Sequence, residues 1–155
     1  MKKANFNLKA YAWKADINYR LHPEFYHVGK GEQGVLICEP YKGEILPHWR
    51  FRTPQVASIS SKKILEIFYA YMKDDDFVGA DMARKYLQMG FTRSRRYANY
   101  KGGQKYNPKD HSLKPRNTGD SRKVESATIF YHAWQEAEKN VIYKFKKEKW
   151  KKKYG

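Results

Sequence analysis

The sequence predicts an α+β fold that is mainly α: an N-terminal β-hairpin and extended arm packed on three short helices and one long C-terminal helix. Three observations carry this reading. Residues 54 to 103 repeat apolar side chains at three- and four-residue steps, punctuated by Asp and Gly. Residues 121 to 152 hold one apolar stripe with neither Pro nor Gly inside it. The first 53 residues carry Pro, Gly and short alternating apolar runs instead. At 155 residues the chain fits a single domain, 1–155, divided into the hairpin and arm (1–53), a helical region with a basic patch (54–103), a loop (104–120) and the long helix with its lysine-rich end (121–155).

In chain order, "FYHV" and "VLIC" flank the Gly-rich turn Gly29 to Gly34 and read as the hairpin. Pro40, Pro47 and Pro54 interrupt any helix that follows, leaving an extended arm that drapes Ile45, Leu46, Trp49 and Phe51 over a core. Thr53 before Pro54 is a helix start, with Val56, Ile64, Ile67, Phe68 and Tyr71 as the inward positions up to about Lys73. Asp75 or Asp76 caps a second helix, "FVGADMARKYLQM", which Gly90 ends. Thr92 caps a third, "RSRRYANYK", stopped by Gly102 and Gly103. Residues 104–120 are polar, hold two prolines and lack periodicity, and so form a loop. From Ser121 the last helix buries Ala127, Phe130, Tyr131, Trp134, Ala137, Val141 and Phe145.

The net charge of +16 is concentrated in two segments. Residues 84–123 hold twelve Lys/Arg against Asp110 and Asp120, giving +10, and residues 144–153 hold seven Lys against Glu148, giving +6. The remainder is neutral, so the charge implies a polyanionic partner. Within "GFTRSRRYANYKGGQKY" guanidinium groups fork onto phosphates, tyrosines stack on bases and Asn pairs with a base edge. The expected contacts are Arg84, Arg93, Arg95, Arg96, Tyr97, Asn99, Tyr100, Lys101 and Lys105, with Lys146 and Lys149 as a second phosphate patch.

Other chemistries leave weaker traces. The five histidines share no metal-ligand spacing with Cys38 or one another, and "GKGEQG" is a turn rather than a phosphate-cradling loop, so neither metal nor cofactor is expected. Glu39 and Glu44 flank Lys42, and Asp74, Asp75, Asp76 and Asp81 could face His48, Arg50 and Arg52 in an enzyme acting on nucleic acid or a phosphorylated substrate. Aspartates at a helix junction are better read as caps. A third reading is a phage scaffold or virion-associated protein docking on an acidic protein partner. Cys38 can make no intrachain bridge, apolar runs are too short to span a bilayer, and no charged-then-apolar leader opens the chain, so a cytoplasmic protein is expected.

The stretches "GEQGVLICEPYKGEILPHWRFRTP", "DDFVGADMARKYLQMGFTRSRRYANYKGGQKY" and "AWQEAEKNVIYKFKKEKWKKKYG" resemble domain-of-unknown-function family 4385 of bacteria and tailed phages. The resemblance runs from Asn18 to Gly155. It implies a single-domain intracellular protein of a bacterium or phage-infected cell, and it assigns no residue a catalytic or binding role.

Overall fold

The computed structural model describes residues 13–29, 32–100, 106–113 and 119–155, of which 32 and 33 through their backbone alone. Five α-helices form within them: α1 (Tyr41–Ile45), α2 (Pro54–Lys73), α3 (Phe77–Asn99), α4 (Arg122–Glu138) and α5 (Val141–Tyr154). Short 3-10 turns cover Pro23–Phe25, Glu32–Leu36 and Leu46–His48.

The expected α+β class and N-terminal hairpin are not what forms. Among the described residues there is no strand, only isolated bridges pairing Asn18 with Glu39 and Tyr106 with Leu113. Tyr26 and Val28 do alternate into the core, which is the pattern that suggested a strand. The Tyr26 N–H, however, closes the local turn on the Pro23 carbonyl at 2.9 Å, and other partners of this stretch come from the far end of the chain. The Val28 N–H donates to the Gly155 carbonyl at 3.1 Å, and the Trp150 indole donates to the Tyr26 carbonyl at 2.9 Å. In the supposed second strand, Cys38 N–H bonds back to the Gly34 carbonyl at 3.1 Å, coiling "VLIC" rather than extending it.

The extended arm is likewise partly helical. Pro40 caps α1, and Pro47 occupies the first turn of Leu46–His48, where no proline N–H is needed. The prolines start turns instead of forbidding them. Only Trp49 to Thr53 remains open, and it ends as expected: the Thr53 hydroxyl accepts from the Val56 N–H at 3.2 Å to open α2. Ile64, Phe68 and Tyr71 are buried along that helix.

Asp76 caps α3 by accepting from the Gly79 N–H at 3.0 Å, after Asp75 turns the chain at φ 57°. The two expected helices "FVGADMARKYLQM" and "RSRRYANYK" are one continuous helix. Gly90 fails to terminate it because its missing side chain serves packing: a Cβ there would lie 2.3 Å from the Phe130 ring. The absent methyl lets α4 lie close against α3.

The single C-terminal helix is in fact two. Asn140 leaves the helical region and accepts from the Tyr143 N–H at 2.9 Å, capping α5. The turn rotates the buried face, so Val141 and Phe145 are exposed while Tyr143 is fully enclosed. Of the expected stripe, Ala127, Phe130 and Ala137 are buried.

The core centres on α3, against which α2, α4 and α5 pack. Every residue from Phe77 to Leu87 is buried. Among the described residues no helix is long and apolar enough to cross a membrane.

Candidate nucleic-acid interface

A helix enclosed on all sides is expected to be apolar, yet the first half of α3 carries Asp81, Arg84 and Lys85. Asp81 has no solvent exposure. Its carboxylate accepts from the Tyr26 and Tyr143 hydroxyls and pairs with the Arg84 guanidinium, whose Nη2 lies 2.8 Å away. Arg84 also donates to Tyr143 Oη at 2.8 Å and to Gln88 Oε1 at 2.7 Å. Burial alone would raise the Asp81 pKa, but the charges of Arg84 and Lys85 and the two phenol hydrogen bonds outweigh it and hold the carboxyl well below the usual range. The same burial, with the Asp81 charge beside it, pushes the Tyr143 phenol far up.

Arg84 is therefore an interior ion-pair partner and not the open phosphate contact its sequence position suggested. Its forks are all directed inward. Tyr100 is also withdrawn, at 5% exposure, so it offers no free face for stacking. Lys101 and Lys105 lie outside the described residues.

The second half of α3 differs in kind. Arg95, Arg96 and Tyr97 are exposed, and Arg93 is half-buried. Among the described residues none of the three arginines has a carboxylate partner. Arg93 stands 5.8 Å from the Trp49 ring and Arg95 stands 5.7 Å from that of Phe91. Aromatic faces thus steady both guanidinium groups while leaving their charge unmatched. Tyr97 rests 6.1 Å from Phe51 and keeps an open edge.

Between α3 and α4 lies a cleft of about 420 Å³ lined by Phe91, Arg95, Asn99, Val124, Thr128 and Tyr131. Its geometry follows from helix periodicity, since residues 91, 95 and 99 share one face of α3. Tyr131 is 40% exposed and packs 5.4 Å from Phe91, giving the cleft an aromatic wall. Expected on the buried stripe, Tyr131 instead sits at its edge. Opposite, Gly119 passes over the end of α3 so closely that a Cβ would lie 1.9 Å from the Tyr97 carbonyl, and the Asp120 N–H bonds that carbonyl at 3.0 Å.

The expected lysine patch is set apart from the arginines. Lys146 is ion-paired with Asp75, whereas Lys149 is exposed beside the Phe145 ring at 5.0 Å. Both flank the start of α3, roughly 25 Å along its axis from Arg95 at 1.5 Å per residue.

Of the carboxylates of the enzymatic alternative, Glu44 and Asp76 meet at Arg20, at 2.6 and 3.7 Å, and the others stand apart from them. Asp81 is interior, Asp76 accepts from the Tyr41 hydroxyl at 2.8 Å, and Asp75 is the Lys146 partner. Arg50 directs its guanidinium to the Leu46 and Trp49 carbonyls. Among the described residues no three His, Cys, Asp or Glu side chains are grouped to hold a metal ion. Sequence reasoning missed Phe91, Val124, Thr128 and Tyr131. The i, i+4, i+8 spacing of Phe91, Arg95 and Asn99 was the available signal.

Compared with known proteins, residues 10–153 match the family model described as a domain of unknown function, DUF4385. No curated protein and no solved structure matches the chain. The chain belongs to the DUF4385 family.

Proposed function

We propose that this family member binds single-stranded nucleic acid along the C-terminal half of α3. The carrying observation is the set of three guanidinium groups, Arg93, Arg95 and Arg96, with no carboxylate partner among the described residues, beside a cleft walled by Phe91 and Tyr131. Several cations elsewhere in the fold do meet carboxylates: Arg84 meets Asp81, Arg20 meets Glu44, Arg122 meets Asp120 and Lys146 meets Asp75. Unmatched arginines attract phosphates, whose counterions are released on binding. The aromatic wall takes a splayed base, which a single strand presents and a duplex does not. Its lone buried Cys38, whose thiol burial pushes up to about 12, suits the reducing cytoplasm.

Replacing Arg93, Arg95 and Arg96 together with Gln tests this. The dependence of log affinity on log salt should flatten by up to about two, at roughly 0.7 per single-strand phosphate contact, and low-salt affinity should fall by orders of magnitude. An unaltered slope in a folded variant removes the surface from consideration. Failure of the unsubstituted protein to hold any strand at low salt, with an acidic protein co-purifying, would favour the scaffold reading instead.

A further inference from the structure

The three unmatched arginines of α3 do not share one setting. Arg95 lines the cleft between α3 and α4, whereas Arg93 and Arg96 lie outside it. The Arg93 guanidinium stands over the Trp49 ring, and that of Arg95 over Phe91, which lines the cleft with it. The Arg95 fork is thereby held at the cleft wall, and among the described residues it donates no hydrogen bond.

Among the described residues that line the cleft, Arg95 alone is charged. Ala98 and Ala127 are buried, and their short side chains leave the space open. The Thr128 hydroxyl spends its proton on the Val124 carbonyl at 3.0 Å, and Asn99 is not free. The donors still to be used are therefore those of Arg95. Tyr131, 40% exposed, offers a ring to a flat partner. The volume of about 420 Å³ lies within the range of small-molecule sites.

An open aromatic ring and an unused donor fork, with no carboxylate in the lining, select for a flat group that presents two acceptors side by side. Guanine does so with O6 and N7, which an arginine meets bidentately. Adenine sets the N6 amino donor beside N7 and so opposes one arm of the fork. Cytosine has adjacent acceptors only beside its N4 amino donor, for which the lining holds no Asp or Glu. Thymine has O4 but carries a methyl group next to it.

We propose that this cleft takes a guanine base, with Arg95 on O6 and N7 and Tyr131 against its face, a reading that rests on the strand binding argued above. Arg93 and Arg96, outside the cleft, hold the flanking phosphates. Two arginines position the strand and the third reads it.

The test titrates the full chain against labelled thymidine strands that carry one central guanine, hypoxanthine, 7-deazaguanine, adenine or cytosine, followed by fluorescence anisotropy. Guanine and hypoxanthine, which share O6 and N7, should bind about tenfold more tightly than adenine or cytosine, the discrimination of one bidentate pair. The 7-deazaguanine strand, in which a C–H replaces N7, should lose that gain. Arg95→Lys keeps the charge without the fork, so it should abolish the preference and leave the salt dependence in place. Arg96→Gln should do the reverse, keeping the preference while the salt slope flattens by about 0.7. Equal affinity for every strand, a preference for cytosine, or a guanine preference that survives Arg95→Lys overturns the proposal and leaves the arginine surface standing. A protein that holds none of these strands at low salt overturns the strand-binding reading as well.

Discussion

Arg84 and Arg95 lie eleven residues apart on one face of α3, yet their surroundings give them opposite tasks. Arg84 meets Asp81 one turn earlier and Tyr143 from another helix, so its charge is neutralised indoors. Arg95 meets only an aromatic face and keeps its charge for a partner. The sequence contained half of this distinction, in the i, i+3 spacing of Asp81 and Arg84, but the decisive third member is contributed by a residue distant in the chain. Arg84→Met should destabilise the protein by about 3–5 kcal/mol, because it leaves the Asp81 carboxylate buried without its countercharge. Urea unfolding measures this. A loss under 1 kcal/mol would mean that Asp81 is not the enclosed anion described above.

At the scale of elements, the sequence showed where helices lie better than where they end. Asn140 caps a helix inside what reads as continuous periodicity, since one residue leaving the helical region is invisible to a count of apolar positions. Gly90 errs in the other direction. Glycine ends helices by accepting left-handed backbone angles, but it also admits a neighbouring helix, and only the tertiary partner decides which applies. Gly90→Ala separates the two roles by the sign of its effect. Helix propensity alone would make alanine more stable by roughly 1 kcal/mol, whereas a methyl group 2.3 Å from the Phe130 ring should cost about 1–3 kcal/mol. We expect a net loss and a lower melting temperature in a thermal scan. A rise would contradict the close approach of α3 and α4.

For the whole molecule, the uneven charge was legible from composition, whereas the N-terminal half was misread. Its short apolar runs satisfy strand and turn patterns equally, and its backbone partners include the distant α5 end of the chain. Buried phenols unite these regions and make stability sensitive to alkali. Burial raises the pKa of Tyr26, Tyr86 and Tyr143 in the fold, while in the unfolded chain phenols titrate near 10. The fold therefore keeps protons that the unfolded chain releases: the stabilisation is complete below about pH 9 and is lost progressively as pH rises past about 10 toward the raised pKa values of the fold. Each such phenol should remove about 1.4 kcal/mol per pH unit above 10, and Cys38, pushed up to about 12, adds to this. Urea midpoints taken from pH 8 to 11 should fall steeply, with tyrosinate absorbance rising only on unfolding. A flat profile would contradict enclosure of these groups. The bond from Tyr143 to Asp81 also fixes an order of events at the ribosome. The two residues are 62 apart, so at 5–20 residues per second the acid and its arginine emerge about 3–12 s before the phenol that completes their enclosure. A nascent chain halted before α5 carries α2, α3 and α4 but an unfinished interior, with Asp81 still short of one of its two phenol donors.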